Sequence, residues 1–345
     1  MNPFRLISQE EINTLVSRRP GETKIGETIL TSGENWSEEL KTSPANFVLL
    51  GIPEDIGVRA NYGVGGTQSL WQPALNAFLN VQETTLLKGS TVLLLGAFDF
   101  SELIQRTGGM NPLDMRDLVS EIDDRVYPII KTIADAGKIP IVIGGGHNNA
   151  YPILKGVSRS KGKPIHAINL DAHSDYRSIE GRHSGNGFRY AKMDGYLKRY
   201  AVVGLHRNYN AQSVLEEMAS DPDIQFCFYE DIFLEEKHDF KQAVDAAIRF
   251  TAGKPVGIEL DLDCIENVLS SASTPCGIAP LLARRFLTQT ARLSDVAYLH
   301  LTEGATRLAD GREDMLTAKL VSYLITDFIR TCTNKPTVFI RESAI

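Results

Sequence analysis

Short runs of apolar residues alternate along the chain with segments in which apolar residues recur every three or four positions. The apolar runs predict β-strands. Several of them contain no alternating polar position, which is typical of strands covered on both faces. The predicted strands are Phe47–Gly51, Val92–Leu95, Pro140–Ile143, His166–Leu170, Tyr200–Gly204, Gln225–Tyr229, Val256–Asp263, Ala297–Thr302 and Thr337–Ile340.

Amphipathic patterns between these runs predict helices, and the clearest pattern covers residues 311–330. Its recurring apolar positions are Leu316, Leu320, Leu324 and Phe328. Asp310 and Glu313 are expected to cap the beginning of this helix. Similar patterns cover Leu118–Ala136 and Lys241–Ala252. Strands that alternate with helices in this way predict a parallel sheet with helices on both faces.

The first 45 residues are more polar than the remainder of the chain. We expect residues 1–45 to form an N-terminal extension or arm, followed by one catalytic domain over residues 46–345. An internal repeat, a low-complexity tract and a Pro/Gly-rich linker are all missing from the sequence.

Composition and charge narrow the classes of function. The chain has 345 residues, 43% of them hydrophobic and 23% charged, which is ordinary for a globular protein. The net charge of −7 and the lack of a dense Lys/Arg cluster argue against nucleic acid and anionic membranes as partners. The polar N-terminus and the lack of a long apolar stretch predict neither a signal peptide nor a membrane span. Four cysteines without C-x-x-C spacing predict reduced thiols and a cytoplasmic location.

Polar residues that can bind metals follow four of the predicted strands. They are His147, then Asp171, His173 and Asp175, then Asp261 and Asp263, and finally Glu303. In open parallel sheets, ligands bind beyond the carboxyl ends of the strands. The sequence therefore predicts that these side chains meet in one crevice.

The spacing of these residues favours a metal site. Residues i and i+2 on a strand face the same side, so Asp171 with His173, and Asp261 with Asp263, are each expected to aim at one place. Glycines at 144–146 allow a tight turn before His147. Four carboxylates and two imidazoles without a thiolate favour two divalent ions, and Mn²⁺ over a structural zinc. Ion pairing with these cations would also relieve the repulsion among the carboxylates.

Each of these features has a simpler interpretation when it is taken alone. A single Asp-x-Asp is usually part of a loop or of a capped helix start, and a Gly-Gly-Gly-His segment is usually a turn. His166 and His300 lie inside apolar runs and are expected to be core histidines. The metal interpretation depends on the combination, because every cluster falls at the same end of the predicted sheet.

The three clusters resemble the metal motifs of the ureohydrolase family, which includes arginase, agmatinase and formiminoglutamase. The matching segments are G-G-G-H at 144–147, D-A-H-S-D at 171–175 and D-L-D at 261–263. Upstream, the segment LLGIPEDIGVRANYGVGGTQSLWQPALNAF resembles the family's G-x-P-x-D-x-G-V…N-x-G-x-x-G segment. The resemblance runs from about Phe47 to the end of the chain. It implies an arginase/deacetylase-like three-layer α/β/α sandwich with an eight-stranded, mainly parallel sheet.

The resemblance also implies two Mn²⁺ ions per chain and a set of ligands for each. The implied ligands are His147, Asp171, Asp175 and Asp261 for one ion, and His173, Asp171, Asp261 and Asp263 for the other, so that Asp171 and Asp261 bridge. Two such ions lower the pKa of a shared water molecule, and the hydroxide attacks the carbon of an amidine or guanidine.

Three residues are implied to assist this reaction. Asp175 would accept a hydrogen bond from the tetrahedral intermediate, and Glu303 lies where the family has a glutamate near the amidine group. His183 follows the second motif by eight residues, as in the formiminoglutamase pattern, and would deliver a proton to the departing amine. The alternative for His183 is a loop histidine that makes one hydrogen bond.

The segment HSGNGFRY resembles that of formiminoglutamases more than that of arginases or agmatinases. Asn186, Arg189 and Arg207 are expected to bind a substrate carboxylate. The alternative for each arginine is a surface ion pair, which is at least as well supported for Arg189. The expected enzyme is a hydrolase of C–N bonds in linear amidines (EC 3.5.3) that converts N-formimino-L-glutamate to glutamate and formamide. Arginase, agmatinase or another guanidino-acid hydrolase is the alternative within the family. A mononuclear zinc amide deacetylase of the related fold is the alternative from another class, and a non-catalytic binding module is the least favoured.

Two features depart from the family pattern. The third motif usually continues as D-x-D-x-x-D-P, but Glu266 and Asn267 stand in place of the last Asp-Pro, and Asn148 follows the first histidine ligand. These differences leave all six metal positions filled and affect the loop that helps to select the substrate. The resemblance also predicts a homo-oligomer, either a trimer or a hexamer.

Overall fold

The computed structural model describes residues 4–335 and contains one large mixed sheet surrounded by helices. The strands are β1 (Phe4–Leu6), β2 (Phe47–Gly51), β3 (Val92–Phe98), β4 (Ile139–Ile143), β5 (Ile165–Leu170), β6 (Leu197–Leu205), β7 (Ile224–Phe228), β8 (Val256–Asp261) and β9 (Val296–Thr302). Eight of the nine predicted strands are thus confirmed, and the ninth, Thr337–Ile340, lies outside the described residues.

The helices connect and cover these strands. They are α1 (Gln9–Leu15), α2 (Ile25–Thr28), α3 (Trp36–Thr42), α4 (Ile56–Ala60), α5 (Trp71–Leu79), α6 (Ser101–Arg106), α7 (Met115–Asp135), α8 (Ala150–Lys161), α9 (Gly187–Met193), α10 (Gln212–Ser220), α11 (Tyr229–Phe233), α12 (Phe240–Thr251), α13 (Pro280–Leu293) and α14 (Leu316–Thr333). Short 3₁₀ turns cover Thr67–Ser69, Gly89–Thr91, His147–Asn149, Ser184–Asn186, Arg207–Tyr209 and Leu262–Cys264.

The strand order in the sheet is β1-β3-β2-β4-β9-β8-β5-β6-β7. All neighbouring pairs are parallel except β1, which runs antiparallel to β3 at one edge. The predicted eight-stranded parallel sheet is therefore present, and the N-terminal segment adds a ninth, antiparallel strand. The carboxyl ends of the eight parallel strands meet along one edge of the sheet.

The sheet has a hydrophobic core on each face because successive residues of a strand point to opposite sides. In β2, Phe47 and Leu49 belong to one core, and Val48 and Leu50 belong to the other. The first core is covered by α5, α12, α13 and α14, and the second by α7, α8, α9 and α10. This arrangement is the three-layer α/β/α sandwich that the sequence predicts.

The helix predicted over residues 311–330 begins later than predicted, at Leu316. Helix α14 begins at Leu316 because Asp314 accepts hydrogen bonds from the amides of Leu316 and Thr317, at 2.9 and 3.0 Å. Asp310 and Glu313 instead form ion pairs with nearby arginines, so the predicted capping role is wrong for both.

The N-terminal segment packs on the body of the molecule. The side chains of Ile12, Ile25 and Leu40 are fully buried, and β1 is hydrogen-bonded to β3. The division of the chain into residues 1–45 and a catalytic domain 46–345 stays a prediction. Among the helices of residues 4–335, none combines the length and the apolar character that a membrane crossing requires.

Candidate metal centre

The turn after β4 holds His147 at the carboxyl edge of the sheet. Gly144 and Gly145 have φ angles of 85° and 81°, a region that glycine adopts without a steric penalty. The next amide, that of Gly146, donates to Glu54 Oε1 at 3.0 Å, and the amide of His147 donates to Glu303 Oε1 at 2.8 Å. Two buried carboxylates therefore fix the turn from opposite sides.

Glu54 also explains why asparagines follow His147. Its Oε1 atom accepts hydrogen bonds from the side-chain amides of Asn148 and Asn149, at 3.2 and 2.7 Å. All three side chains are fully buried, so an ionised Glu54 needs these donors to compensate for lost hydration. Asn148, which departs from the family pattern, thus helps to stabilise the turn and is not one of the metal ligands.

The first group of ligand atoms surrounds His147 Nδ1. This nitrogen lies 2.8 Å from Asp175 Oδ2, 3.1 Å from Asp261 Oδ2 and 3.3 Å from Asp171 Oδ2. The four side chains are buried, and their ligand atoms all lie within 4.8 Å of one another. Three carboxylates and one imidazole in this arrangement fit a divalent cation.

The second group contains Asp171, His173 and Asp263, again with ligand atoms within 4.8 Å of one another. His173 Nδ1 lies 3.2 Å from Asp263 Oδ2. The Oδ1 atom of Asp263 is buried and has no hydrogen-bond partner among residues 4–335, so a cation would satisfy it. Asp171 belongs to both groups, which places its carboxylate where one ligand can join two ions. Asp261 belongs to the first group only, so its bridging role stays a prediction.

The prediction that each ligand pair, Asp171 with His173 and Asp261 with Asp263, lies on one face of a strand is wrong in detail. β5 ends at Leu170 and β8 ends at Asp261, so His173 and Asp263 lie in the turns that follow. Asp171 Oδ1 accepts from the amide of His173 at 2.6 Å, and Asp261 Oδ1 accepts from the amide of Asp263 at 2.8 Å. Each aspartate bends its own turn back, which brings the second ligand of the pair to the same place.

The electrostatics of the site reflect an excess of negative charge. Burial alone would lower the pKa of His147 and His173, but the neighbouring carboxylates raise both well above the ordinary imidazole value. Burial and the charge of Asp171 raise the pKa of Asp175 to about 6. Burial and nearby carboxylates likewise raise the pKa of Glu303 to about 8. These shifts all have one cause, a concentration of carboxylates in a buried site, and divalent cations would neutralise that charge.

A cavity of about 520 Å³ opens above the two groups. Its metal side is lined by His173, Asp175, Asp261, Asp263 and Glu303. Its other walls include Val58, Asn61, Tyr62, Gly63, Arg177, Ser178, Ser184, Gly185, Tyr209, Asn210, Ser213, Ser271 and Ala272. The size and the mainly polar lining fit a small polar molecule.

The predicted catalytic residues Asp175 and Glu303 both reach this cavity. Their backbones have positive φ angles, 44° for Asp175 and 61° for Glu303, which non-glycine residues rarely adopt. Such strain is retained when the surrounding structure fixes the residue, and it is common at functional sites.

The structure does not bring His183 into the cavity. The ring is fully buried behind Ser184 and Gly185. Its Nδ1 accepts from the amide of Gly185 at 3.1 Å, and its Nε2 lies 3.2 Å from Glu180 Oε1. Burial, together with the charge of Arg116, lowers the pKa of His183 to about 4. This geometry gives no support to a proton donor and is closer to the alternative of a loop histidine, although the ring makes two polar contacts where that alternative has one. The catalytic role of His183 stays a prediction.

The three predicted substrate-binding residues also lie away from the cavity. Arg189 Nη2 donates to Glu217 at 2.6 Å, and Arg207 Nη2 donates to Asp231 at 2.8 Å. Asn186 is fully buried and accepts a hydrogen bond from Arg182. Their polar groups contact other parts of the protein and none of the three lines the cavity, so their role in substrate binding stays a prediction that this geometry does not support.

Arg177 is the cation that the sequence interpretation missed. Among the described residues that line the cavity, it is the only arginine or lysine. Its side chain is 53% exposed and lies 3.3 Å from Glu180. Because Arg177 comes two residues after Asp175, the position just beyond the second motif was a signal that could have identified it.

The unusual loop after Asp263 forms part of the cavity wall. Ser271 and Ala272 line the cavity, and Ser271 Oγ accepts from the amide of Val64 at 2.8 Å. This bond ties the loop to the segment around Asn61, which also lines the cavity. The upstream segment that resembles the family and the loop that departs from it therefore meet at the cavity.

A buried ion pair stabilises the wall from behind. Arg182 Nε donates to Asp123 Oδ2 at 2.8 Å, Nη1 donates to Asn186 Oδ1 at 2.8 Å, and Nη2 donates to the carbonyl of Asn148 at 2.8 Å. Its guanidinium lies over the rings of Tyr151 and Tyr190. Arg182 therefore links α7, the turn that carries His147 and the loop at 183–186.

Known proteins are similar to this chain in sequence. The arginase family profile matches residues 45–327. A formimidoylglutamase of Streptococcus pyogenes serotype M3 is 29% identical over 299 residues, which cover 81% of this chain and 84% of the relative. A formimidoylglutamase of S. pyogenes serotype M12 is 31% identical over 256 residues, 69% of this chain and 71% of the relative.

Solved structures show the same fold at lower sequence identity. The formiminoglutamase of Trypanosoma cruzi with Mn²⁺ has a TM-score of 0.71 at 19% identity, with 91% of this chain and 100% of that chain covered. The formimidoylglutamase of Bacillus subtilis has a TM-score of 0.72 at 15% identity, with 93% and 95% covered. The sequence match extends over most of the described residues and includes every motif of the site, and the chain is therefore a member of the arginase family.

Proposed function

We propose that this protein is a manganese-dependent formiminoglutamase, which hydrolyses N-formimino-L-glutamate to glutamate and formamide. The observation that carries the proposal is the pair of ligand groups that share Asp171, beneath a cavity whose described lining contains one arginine. The formimidoylglutamase names of the relatives support the choice of substrate.

The proposed ligands are those named from the sequence. His147, Asp175 and Asp261 would hold one ion, His173 and Asp263 would hold the other, and Asp171 would contact both. When bound, two Mn²⁺ ions would supply the positive charge that activates water and stabilises charge in the transition state. The hard oxygen donors and the lack of a thiolate among these ligands favour manganese. Two ligand groups disfavour a mononuclear zinc deacetylase.

The residues of the chain would orient the substrate around this centre. Asp175 and Glu303 are acceptors on the metal side and would bind N–H groups of the amidine. Arg177, which also lines the cavity, would donate to a carboxylate of the substrate. Arg177 favours an anionic tail and disfavours the ammonium tail of agmatine. A cytoplasmic location and a homo-oligomer remain predictions from the sequence.

The proposal is tested with purified, Mn²⁺-loaded protein and a panel of N-formimino-L-glutamate, L-arginine and agmatine. Formamide is followed by NMR and urea by a colorimetric assay. We expect formamide from N-formimino-L-glutamate at a kcat/KM at least ~10²-fold above that of the other substrates, within the range that charge complementarity provides. Urea release from arginine or agmatine, with no formamide, would contradict the substrate and leave the metal centre in place.

The role of Arg177 gives a second expectation. Arg177→Ala should raise the KM for N-formimino-L-glutamate ~10-fold or more and change kcat less, because the carboxylate contact is remote from the reacting carbon. The matched control is Arg207→Ala, which removes an arginine bound to Asp231 outside the cavity lining and should leave KM within ~2-fold. An equal rise in both variants would show that the effect is general electrostatics.

Metal binding should be linked to protons. In the metal-free protein the neighbouring carboxylates raise the pKa of both His147 and His173, which favours the protonated imidazoles, whereas a metal ligand must be neutral. Loading two ions at pH 7 should therefore release at least about two protons per chain, and affinity should rise with pH. Calorimetry in buffers with different ionisation enthalpies measures the number released. Binding without proton release would show that these imidazoles are already neutral in the metal-free protein, which contradicts this expectation.

A further inference from the structure

Behind His147, on the side away from the ligand groups, lies a second cluster of buried polar side chains. Glu259 in β8 and Tyr298 and His300 in β9 are all fully buried. Glu259 is directly opposite His300 in the register of these two central strands. The reaction as described above uses none of these three residues.

Glu259 is the centre of this cluster. Its Oε2 atom lies 2.7 Å from His300 Nδ1 and 3.3 Å from His147 Nε2. Its Oε1 atom accepts a hydrogen bond from the hydroxyl of Tyr298 at 2.6 Å. The imidazole of His147 therefore lies between the carboxylates of the first ligand group, at Nδ1, and Glu259, at Nε2.

The positions of the protons follow from these contacts. A metal ion at Nδ1 requires a lone pair on that nitrogen, so the proton of a neutral His147 must be on Nε2, which faces Glu259. His300 Nε2 has no partner within residues 4–335, so the proton of His300 is expected on Nδ1, where it is donated to Glu259. Glu259 then accepts three hydrogen bonds as an ionised carboxylate.

We propose that Glu259 is a positioning residue that fixes the tautomer and orientation of His147 and, through its charge, strengthens His147 as a metal ligand. A carboxylate that accepts the second N–H of a metal-binding histidine raises the basicity of the imidazole and typically changes metal affinity 10–100-fold. The proposal rests on the metal centre proposed above.

A purely structural role for Glu259 is the competing explanation, and a charge-neutral variant separates the two. In Glu259→Gln, the side-chain carbonyl can accept from His147 and His300, while the amide N–H₂ donates to Tyr298, whose hydroxyl can reverse its direction. This variant therefore keeps the shape and the hydrogen bonds and removes the charge. The matched control, Tyr298→Phe, removes one hydrogen bond and keeps the charge.

The experiment is a Mn²⁺ titration of the metal-free protein, followed by EPR of free Mn²⁺. We expect Glu259→Gln to weaken one of the two binding events ~10–100-fold and the other less than ~3-fold. His147→Ala identifies the affected event, since it should abolish the same one. Tyr298→Phe should change both constants less than ~3-fold. If Glu259→Gln binds both Mn²⁺ ions with the dissociation constants of the wild type, the proposal is overturned.

A measurement on the wild-type chain covers the case in which Glu259→Gln does not fold. The chain has seven histidines, and ¹⁵N-labelled histidine with Zn²⁺ in place of Mn²⁺ allows their tautomers to be assigned by NMR. We expect His147 to carry its proton on Nε2. A metal-bound His147 protonated at Nδ1 would overturn the inference. If the wild type binds fewer than two ions, the proposed function fails instead, so the two failures are distinguishable.

Discussion

Replacing Asp171 by alanine should remove both metal ions and lower turnover at least ~10³-fold. The reason is that the two bound metal ions supply several kcal/mol of transition-state stabilisation. Asp171 is the residue that the two ligand groups share. It also accepts the amide of His173, so its loss releases the turn that carries the second imidazole. Metal content by elemental analysis and kcat with N-formimino-L-glutamate measure the two effects.

Asp261→Ala is the informative comparison, because Asp261 belongs to the first ligand group. Loss of both ions in this variant would support the bridging role that the family resemblance implies. Retention of one ion would limit Asp261 to the His147 ion. For Asp171→Ala itself, retention of two ions would contradict its place in the centre.

Arg182→Met should destabilise the protein by about 3–5 kcal/mol, since removal of one partner from a buried ion pair leaves an uncompensated charge. Asp123 would keep a buried carboxylate, and Asn148 and Asn186 would lose donors to their oxygens. Burial raises the pKa of Asp123 to about 6 even beside Arg182, which shows how unfavourable that charge is. Urea unfolding followed by circular dichroism measures the change in the free energy of unfolding.

The control is Arg106→Met, which breaks a bidentate but exposed pair with Glu121. Exposed pairs are screened by water, so this variant should unfold much closer to the wild type. Equal destabilisation in both variants would mean that burial of the Arg182 pair does not determine its contribution.

The sheet could be predicted because each strand is a run of residues buried on both faces. All eight predicted strands that fall in residues 4–335 are present, and the core alternation in β2 follows directly from the period of two. Strand β1 was missed because Phe4–Leu6 is three residues long and its pairing with β3 is a distant contact.

The metal ligands could be predicted from the sequence, whereas the residues that line the cavity could not. Most of the metal ligands are local, since the second and third motifs are each a strand end followed by a turn that an aspartate of the motif bends, as Asp171 and Asp261 do. The lining of the cavity depends on long-range packing. Arg189 and Arg207 were expected to bind a substrate carboxylate, but Glu217 and Asp231 on neighbouring elements form ion pairs with them.

Glu259 shows that a usable signal can be overlooked. It is two residues before Asp261 on β8, so alternation along the strand places both side chains on the same face of the sheet. What the sequence could not supply is its pairing with His300, because the adjacency of β8 and β9 is set by the order of the whole sheet.

The most direct test of the account is turnover of N-formimino-L-glutamate as Mn²⁺ is added back to metal-free protein. We expect formamide release to rise with bound Mn²⁺ and to reach its maximum at two ions per chain, in accord with the two ligand groups that share Asp171. Full activity at one ion per chain, or activity that does not depend on added metal, would contradict it.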